Sequence, residues 1–115
     1  MAYSREAITK ANELRPNALP DEQKADWLME LDGKLAEMMQ TEPPERMWPE
    51  DQLLLMPFPY DNIYTLYVAA MIDYYQQETD LYENDMMMFN QALTEAKAWY
   101  RRSHRPLPGG NWRVM

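Results

Sequence analysis

Apolar residues recur at three- and four-residue intervals over four stretches of this chain, and proline-rich or polar segments separate them. That spacing places side chains on one face of an α-helix. The first helix is predicted over residues 5–15. Ser4 stands at its N-cap, and Tyr3 and Ile8 occupy the positions of a hydrophobic staple. Ala7, Ile8, Ala11 and Leu14 form its apolar stripe, and Pro16 ends it. "RPNALPDEQ" then makes a turn. A second helix opens at Pro20 or Asp21, where Pro20, Asp21 and Glu22 suit a first turn and its dipole, and runs to about Gln40. Leu28, Leu31, Leu35 and Met38 mark its buried face, with Trp27 and Met39 beside it. Gly33 falls on the polar side, at a cost of roughly 1 kcal/mol relative to alanine; it either marks a close contact or carries no structural meaning.

Residues 41–60, "TEPPERMWPEDQLLLMPFPY", hold five of the nine prolines and cannot continue a helix. "DQLLLM" reads as a short extended piece with Leu53 and Leu55 on one side. The segment is expected to lie over the helices, anchored by Trp48, Leu53, Leu55 and Phe58. Asp61 caps a third helix over 62–77, with a stripe of Ile63, Tyr67, Ala70 and Tyr74 broadened by Leu66 and Met71. Asp80 and Glu83 have capping-box spacing, which starts a fourth helix at about 81 and carries it to 103. Its stripe is Tyr82, Met86, Phe89, Leu93, Ala96 and Tyr100. The alternative is one rod over 62–103, since no Gly or Pro interrupts it. A hairpin buries the two stripes against each other, whereas a rod needs a partner to cover them. The fold class is therefore all-α: a small bundle of about four helices, with a long Pro-rich loop between helices two and three. Residues 1–105 form the domain and 106–115 a basic tail.

Composition sharpens this picture. The 115 residues suit one domain. Met (11), Tyr (8) and Trp (4) are in excess, and these side chains serve contact surfaces as readily as cores. The net charge of −8 is uneven. Residues 1–100 carry 7 Lys+Arg against 19 Asp+Glu, giving −12, whereas Arg101, Arg102, Arg105 and Arg113 give the remainder +4. An acidic body does not suit independent binding to nucleic acid. The absence of Cys removes disulfides, thiolate nucleophiles and Cys-based metal sites, and suits a reducing compartment. "MAYSREAITKANEL" shows no signal-peptide core, and no apolar run approaches the ~20 residues of a membrane span.

No motif for chemistry emerges. His104 is the single His and stands among arginines at a helix end, where cations favour the dipole. No Ca²⁺ loop and no Gly-rich phosphate loop is present, and Glu78, Asp80, Glu83 and Asp85 read as a solvated turn. No catalytic residue, metal or cofactor is assigned. What the pattern does offer is surplus apolar surface. "DMMMF" puts three Met within one turn, and adjacent helical positions are ~100° apart, so Met87 and Met88 fall outside the stripe that holds Met86. Tyr64 and Tyr75 fall outside the stripe of helix three in the same way. Trp99, Arg101, Arg102, Arg105, Trp112 and Arg113, in "WYRRSHRPLPGGNWR", combine rings with cations and suit a docking peptide, a phosphate contact or a plain helix end. These ten residues are the candidate partner-binding set.

The aromatic spacing in "PYDNIYTLY…IDYY…FNQA…YRRSH", within "EAITKANELRPNALPDEQKADWLMELDGKL" and the segments that follow, resembles small head–tail connector (head-completion, adaptor) proteins of tailed phages and prophages. The likeness covers residues 5–105. It implies a mainly helical structural protein, without enzyme activity or cofactor. Such a protein assembles as a ring beneath the portal, prolongs the DNA channel and receives tail or stopper proteins. Its partners would be copies of itself, the portal and those tail proteins, with DNA passing through unread and no membrane involved. It would reside in the host cytoplasm during assembly and then in the virion. A different neck or tail component, an assembly chaperone, and a small nucleic-acid-binding regulator using the basic tail are the alternatives. An enzyme has no positive support.

Overall fold

A computed structural model describes residues 2–104. Four helices follow one another: α1 (Ser4–Leu14), α2 (Asp21–Met39), α3 (Asn62–Tyr75) and α4 (Thr79–Ser103). The described residues contain no strand, only one antiparallel bridge between Tyr3 and Leu53. The fold is all-α. The hairpin, not the rod, is formed: Gln76–Glu78 reverses the chain, with Gln77 in the left-handed region at φ 61°. The Glu78 amide donates back to the Asp73 carbonyl at 2.9 Å, the six-to-one closure of a Schellman turn made without glycine. α2 ends in the same manner on Gln40, at φ 56°, with the Thr41 amide on the Ala36 carbonyl at 3.0 Å.

α3 is the centre of the bundle, and the other three helices pack on it. This is why its apolar residues run round most of its circumference. Ile63, Tyr64, Val68, Ala69, Ala70 and Ile72 are all buried. Opposite them lie Ile8 and Ala11 of α1, Leu28, Leu31 and Leu35 of α2, and Phe89, Ala92 and Ala96 of α4, in one continuous core. The expected face of α2 is the one buried. Two stripes are displaced. On α4 the buried line is Asp85–Phe89–Ala92–Ala96, so Tyr82, Met86 and Leu93 sit at its edge. On α1 Leu14 is 54% exposed. A Cβ added at Gly33 would meet nothing within 4 Å, so this glycine marks no close contact.

The expected caps are not made by side chains: Tyr3, Asp61 and Glu78 hold the cap positions of α1, α3 and α4, and none caps through its side chain. Ser4 is instead buried within the loop contact. Its Oγ donates to Asp51 Oδ1 at 3.2 Å and accepts from the Gln52 amide at 3.0 Å. The extended segment pairs with the N-terminus through Ser4 N–H to Gln52 O and Leu54 N–H to Ala2 O, both 2.8 Å. This pairing sets the alternation one residue away from the expected one. Gln52, Leu54 and Met56 point inward, whereas Leu53 is 49% exposed. Phe58, expected as an anchor, is 74% exposed. Trp48 and Leu55 are half-buried against the core as expected, and the Arg5 guanidinium lies 5.0 Å over the Trp48 ring.

Candidate interaction surface

Tyr64, expected to stand outside the buried stripe of helix three, is fully buried, because the extended segment covers that side of α3. Its hydroxyl donates to Asp32 Oδ1 at 2.6 Å and accepts from the Met56 amide at 2.7 Å. Asp32 Oδ2 accepts from the Leu55 amide at 3.0 Å. Two buried side chains on α2 and α3 thus satisfy the backbone of the loop crossing them. Burial holds the Asp32 carboxyl above its usual range, against the Tyr64 and Leu55 hydrogen bonds. Tyr64 is a structural residue, not a partner contact.

The other candidates divide between separate places. At the hairpin end Tyr75 is half-exposed, its ring 5.4 Å from Trp27. Tyr74, 59% exposed, joins it and lies 5.5 Å from Tyr82. Met87 and Met88 stand on the outward side of α4, 63% and 47% exposed. Trp99 is half-buried, stacked at 5.1 Å on Tyr60 from the loop, so it fastens the loop to α4. Arg101 and Arg102 are exposed on the last turn. At 1.5 Å per residue, Trp99 lies about 25 Å along α4 from Tyr82. The set does not converge on one spot. Arg105, Trp112 and Arg113 lie outside the described residues. His104 is exposed and stacks on Tyr100 at 3.9 Å.

Two features are new relative to the sequence. First, Asp85 is no part of a solvated turn. Arg15, just past α1, donates from Nε to Asp73 Oδ1 at 3.0 Å and from Nη2 to both Asp85 oxygens at 3.1 and 3.0 Å. Asp73 is fully buried and its Oδ2 has no hydrogen-bond partner. Burial, reinforced by Asp85, pushes the Asp73 carboxyl up to about 7, while Arg15 pulls it down. Glu78, Asp80 and Glu83 are exposed as expected.

Second, α2 and α4 both pack on α3 without a close backbone approach to each other; the Tyr100 hydroxyl bridges them at their C-terminal ends, donating to the Met39 carbonyl at 3.3 Å. The gap is an apolar groove of about 330 Å³. Leu31 and Leu35 form one wall, Met86 and Leu93 the other, and Tyr67 and Met71 of α3 the floor. Lys34 and Lys97 stand on its rim, and neither enters an ion pair among the described residues. The Tyr67 hydroxyl donates to Glu30 at 3.0 Å on the α2 side. The groove was not legible in the sequence, because Leu31, Leu35 and Phe89 read as plain core and Tyr67, Met71, Met86 and Leu93 are half-buried residues that meet only when three helices come together.

Among the described residues no group of His, Cys, Asp or Glu is placed to hold a metal ion, and no helix is long and apolar enough to cross a membrane. No protein-family profile, no curated protein and no solved structure matches this chain.

Proposed function

We propose that this protein is a structural component of a tailed phage or prophage: a head–tail connector that oligomerises on the portal, extends the DNA channel and receives the tail. The observation that carries the reading is apolar surface left uncovered on two sides of α4. Met87 and Met88 are exposed on one side, and the groove walled by Met86 and Leu93 opens on the other. A subunit within a ring needs two different patches, one for each neighbour. Adaptable Met and amphipathic Tyr are suited to both. The net charge of −8 would let DNA slide past without adhering, since adhesion needs basic groups on the phosphates. Arg101 and Arg102, exposed at the end of α4, are placed to meet an acidic partner.

The test is co-assembly. The purified full chain is mixed with portal rings from a phage that carries it, and the product is resolved by sedimentation and electron microscopy. A further ring layer on the portal is expected. A chain that neither binds the portal nor multimerises at high concentration would end the connector reading.

A further inference from the structure

We infer that the groove between α2 and α4 receives the outward face of α4 from a second copy of this chain, in a head-to-tail contact. The inference rests on the oligomeric reading above and says which surfaces meet. Helical geometry turns each residue by about 100°, which places the groove line (Tyr82, Met86, Phe89, Leu93) and the Met87–Met88 pair roughly 170° apart around α4. The two patches therefore face opposite ways on one subunit and cannot pair within it. A contact between unlike patches on opposite sides propagates from copy to copy, as a ring or filament does.

Charge and length select the occupant. The groove presents apolar walls with Lys34 and Lys97 at its rim, both without an ion-pair partner among the described residues. The outward face of α4 presents Met87 and Met88, with Glu83 one turn before and Glu95 two turns after. Glu83 and Glu95 are exposed, and they too enter no ion pair there. Apolar centre meets apolar centre, and one acidic flank meets the free lysines. Along α4 the groove spans Tyr82 to Lys97, about 22 Å, long enough to seat the Met87–Met88 face. Lys34 and Lys97 stand just before Met39 and Tyr100, which hydrogen-bond at 3.3 Å, so both lysines lie toward one end of the groove. Met is suited to such a seat because its flexible thioether fills an irregular wall.

Because the natural chain has no Cys, introduced thiols report the contact without background. One full-length chain carries Met71→Cys on the groove floor and a second carries Met88→Cys on the outward face. They are mixed and treated with a short bismaleimide. Heterodimers are expected, with neither chain cross-linking to itself. Adding Lys34→Glu and Lys97→Glu to the groove chain should abolish the heterodimer, and adding Glu83→Lys and Glu95→Lys to the other should restore it. Met88→Cys homodimers, or no cross-linking while the wild-type chain sediments above the monomer, would overturn this pairing and leave the connector reading standing. A wild-type chain that stays monomeric with and without portal would overturn both.

Discussion

Asp73→Asn is predicted to make the protein more stable at pH 8 and to leave it little changed near pH 4. Asp73 is fully buried, and its Oδ2 has no donor. It shares one guanidinium with Asp85. Two carboxylates on one cation leave a surplus negative charge inside the bundle. A single proton removes that surplus and supplies the hydrogen that Oδ2 lacks. The folded-state value of about 7 therefore lies above the ordinary 3.8. The sign follows. Between about pH 4 and 7 the folded chain keeps a proton that the unfolded chain has released, so this group's contribution is fully present below about pH 4 and is lost as pH rises through 7. Roughly 3 pH units at about 1.4 kcal/mol each set an upper bound of about 4 kcal/mol on the loss.

An asparagine in the same place mimics the protonated acid. Its Oδ1 accepts from Arg15, and its amide is placed to donate toward Asp85. It carries no charge, so the slope disappears. The assay is urea unfolding followed by circular dichroism at pH 5, 6, 7 and 8 for both chains. Taking the difference between them cancels Asp32 and every other carboxylate outside the Arg15 cluster. The expected result is a gap in favour of the variant that widens with pH. A gap that stays constant, or a variant less stable than the wild type at pH 8, would refute the shared-proton account.

Tyr64→Phe leaves Asp32 Oδ1 and the Met56 amide without their shared hydroxyl, and should cost about 1–3 kcal/mol in urea unfolding; a loss below about 0.5 kcal/mol would show that the buried network does not secure the loop. Met56→Ala removes a fully buried side chain beneath the same segment and should cost about 2–5 kcal/mol by the same measurement. Met87→Ser with Met88→Ser should leave unfolding free energy within about 0.5 kcal/mol, as expected for exposed positions, while reducing self-association in a sedimentation series; a large drop in stability would mean that these side chains are packed within the subunit.

The four helices were legible because their apolar residues keep a three–four spacing, strongest on α2, where α1 and α3 are met by a single face. α3 was the least legible for the opposite reason. A helix contacted on most sides carries apolar residues nearly all round, so a stripe drawn through Ile63, Tyr67, Ala70 and Tyr74 could not separate the buried Tyr64 from the exposed Tyr74. The hairpin turn rests on Gln77 at φ 61°, a conformation usually flagged by glycine, so the sequence left hairpin and rod open. The inward parity of Gln52, Leu54 and Met56 depends on two backbone hydrogen bonds to the chain start, and "QLLLM" suits either parity. The Arg15–Asp73–Asp85 cluster joins residues up to 70 positions apart, which no local pattern encodes. Of the candidate contacts, Tyr75, Met87, Met88, Arg101 and Arg102 do stand exposed. Trp99 and Tyr64 serve the fold. The groove that complements the Met pair emerged only from the arrangement of three helices.

A single chain leaves apolar surface bare at Met87 and Met88, and in the proposed assembly other subunits cover it. Analytical ultracentrifugation of the full chain across a wide concentration range, with and without portal rings, is the decisive measurement. The weight-average mass is expected to climb above the 13.7 kDa of one chain as concentration rises, with chain co-sedimenting with the portal. A mass fixed at 13.7 kDa throughout, with no chain carried down by the portal, would contradict that assembly.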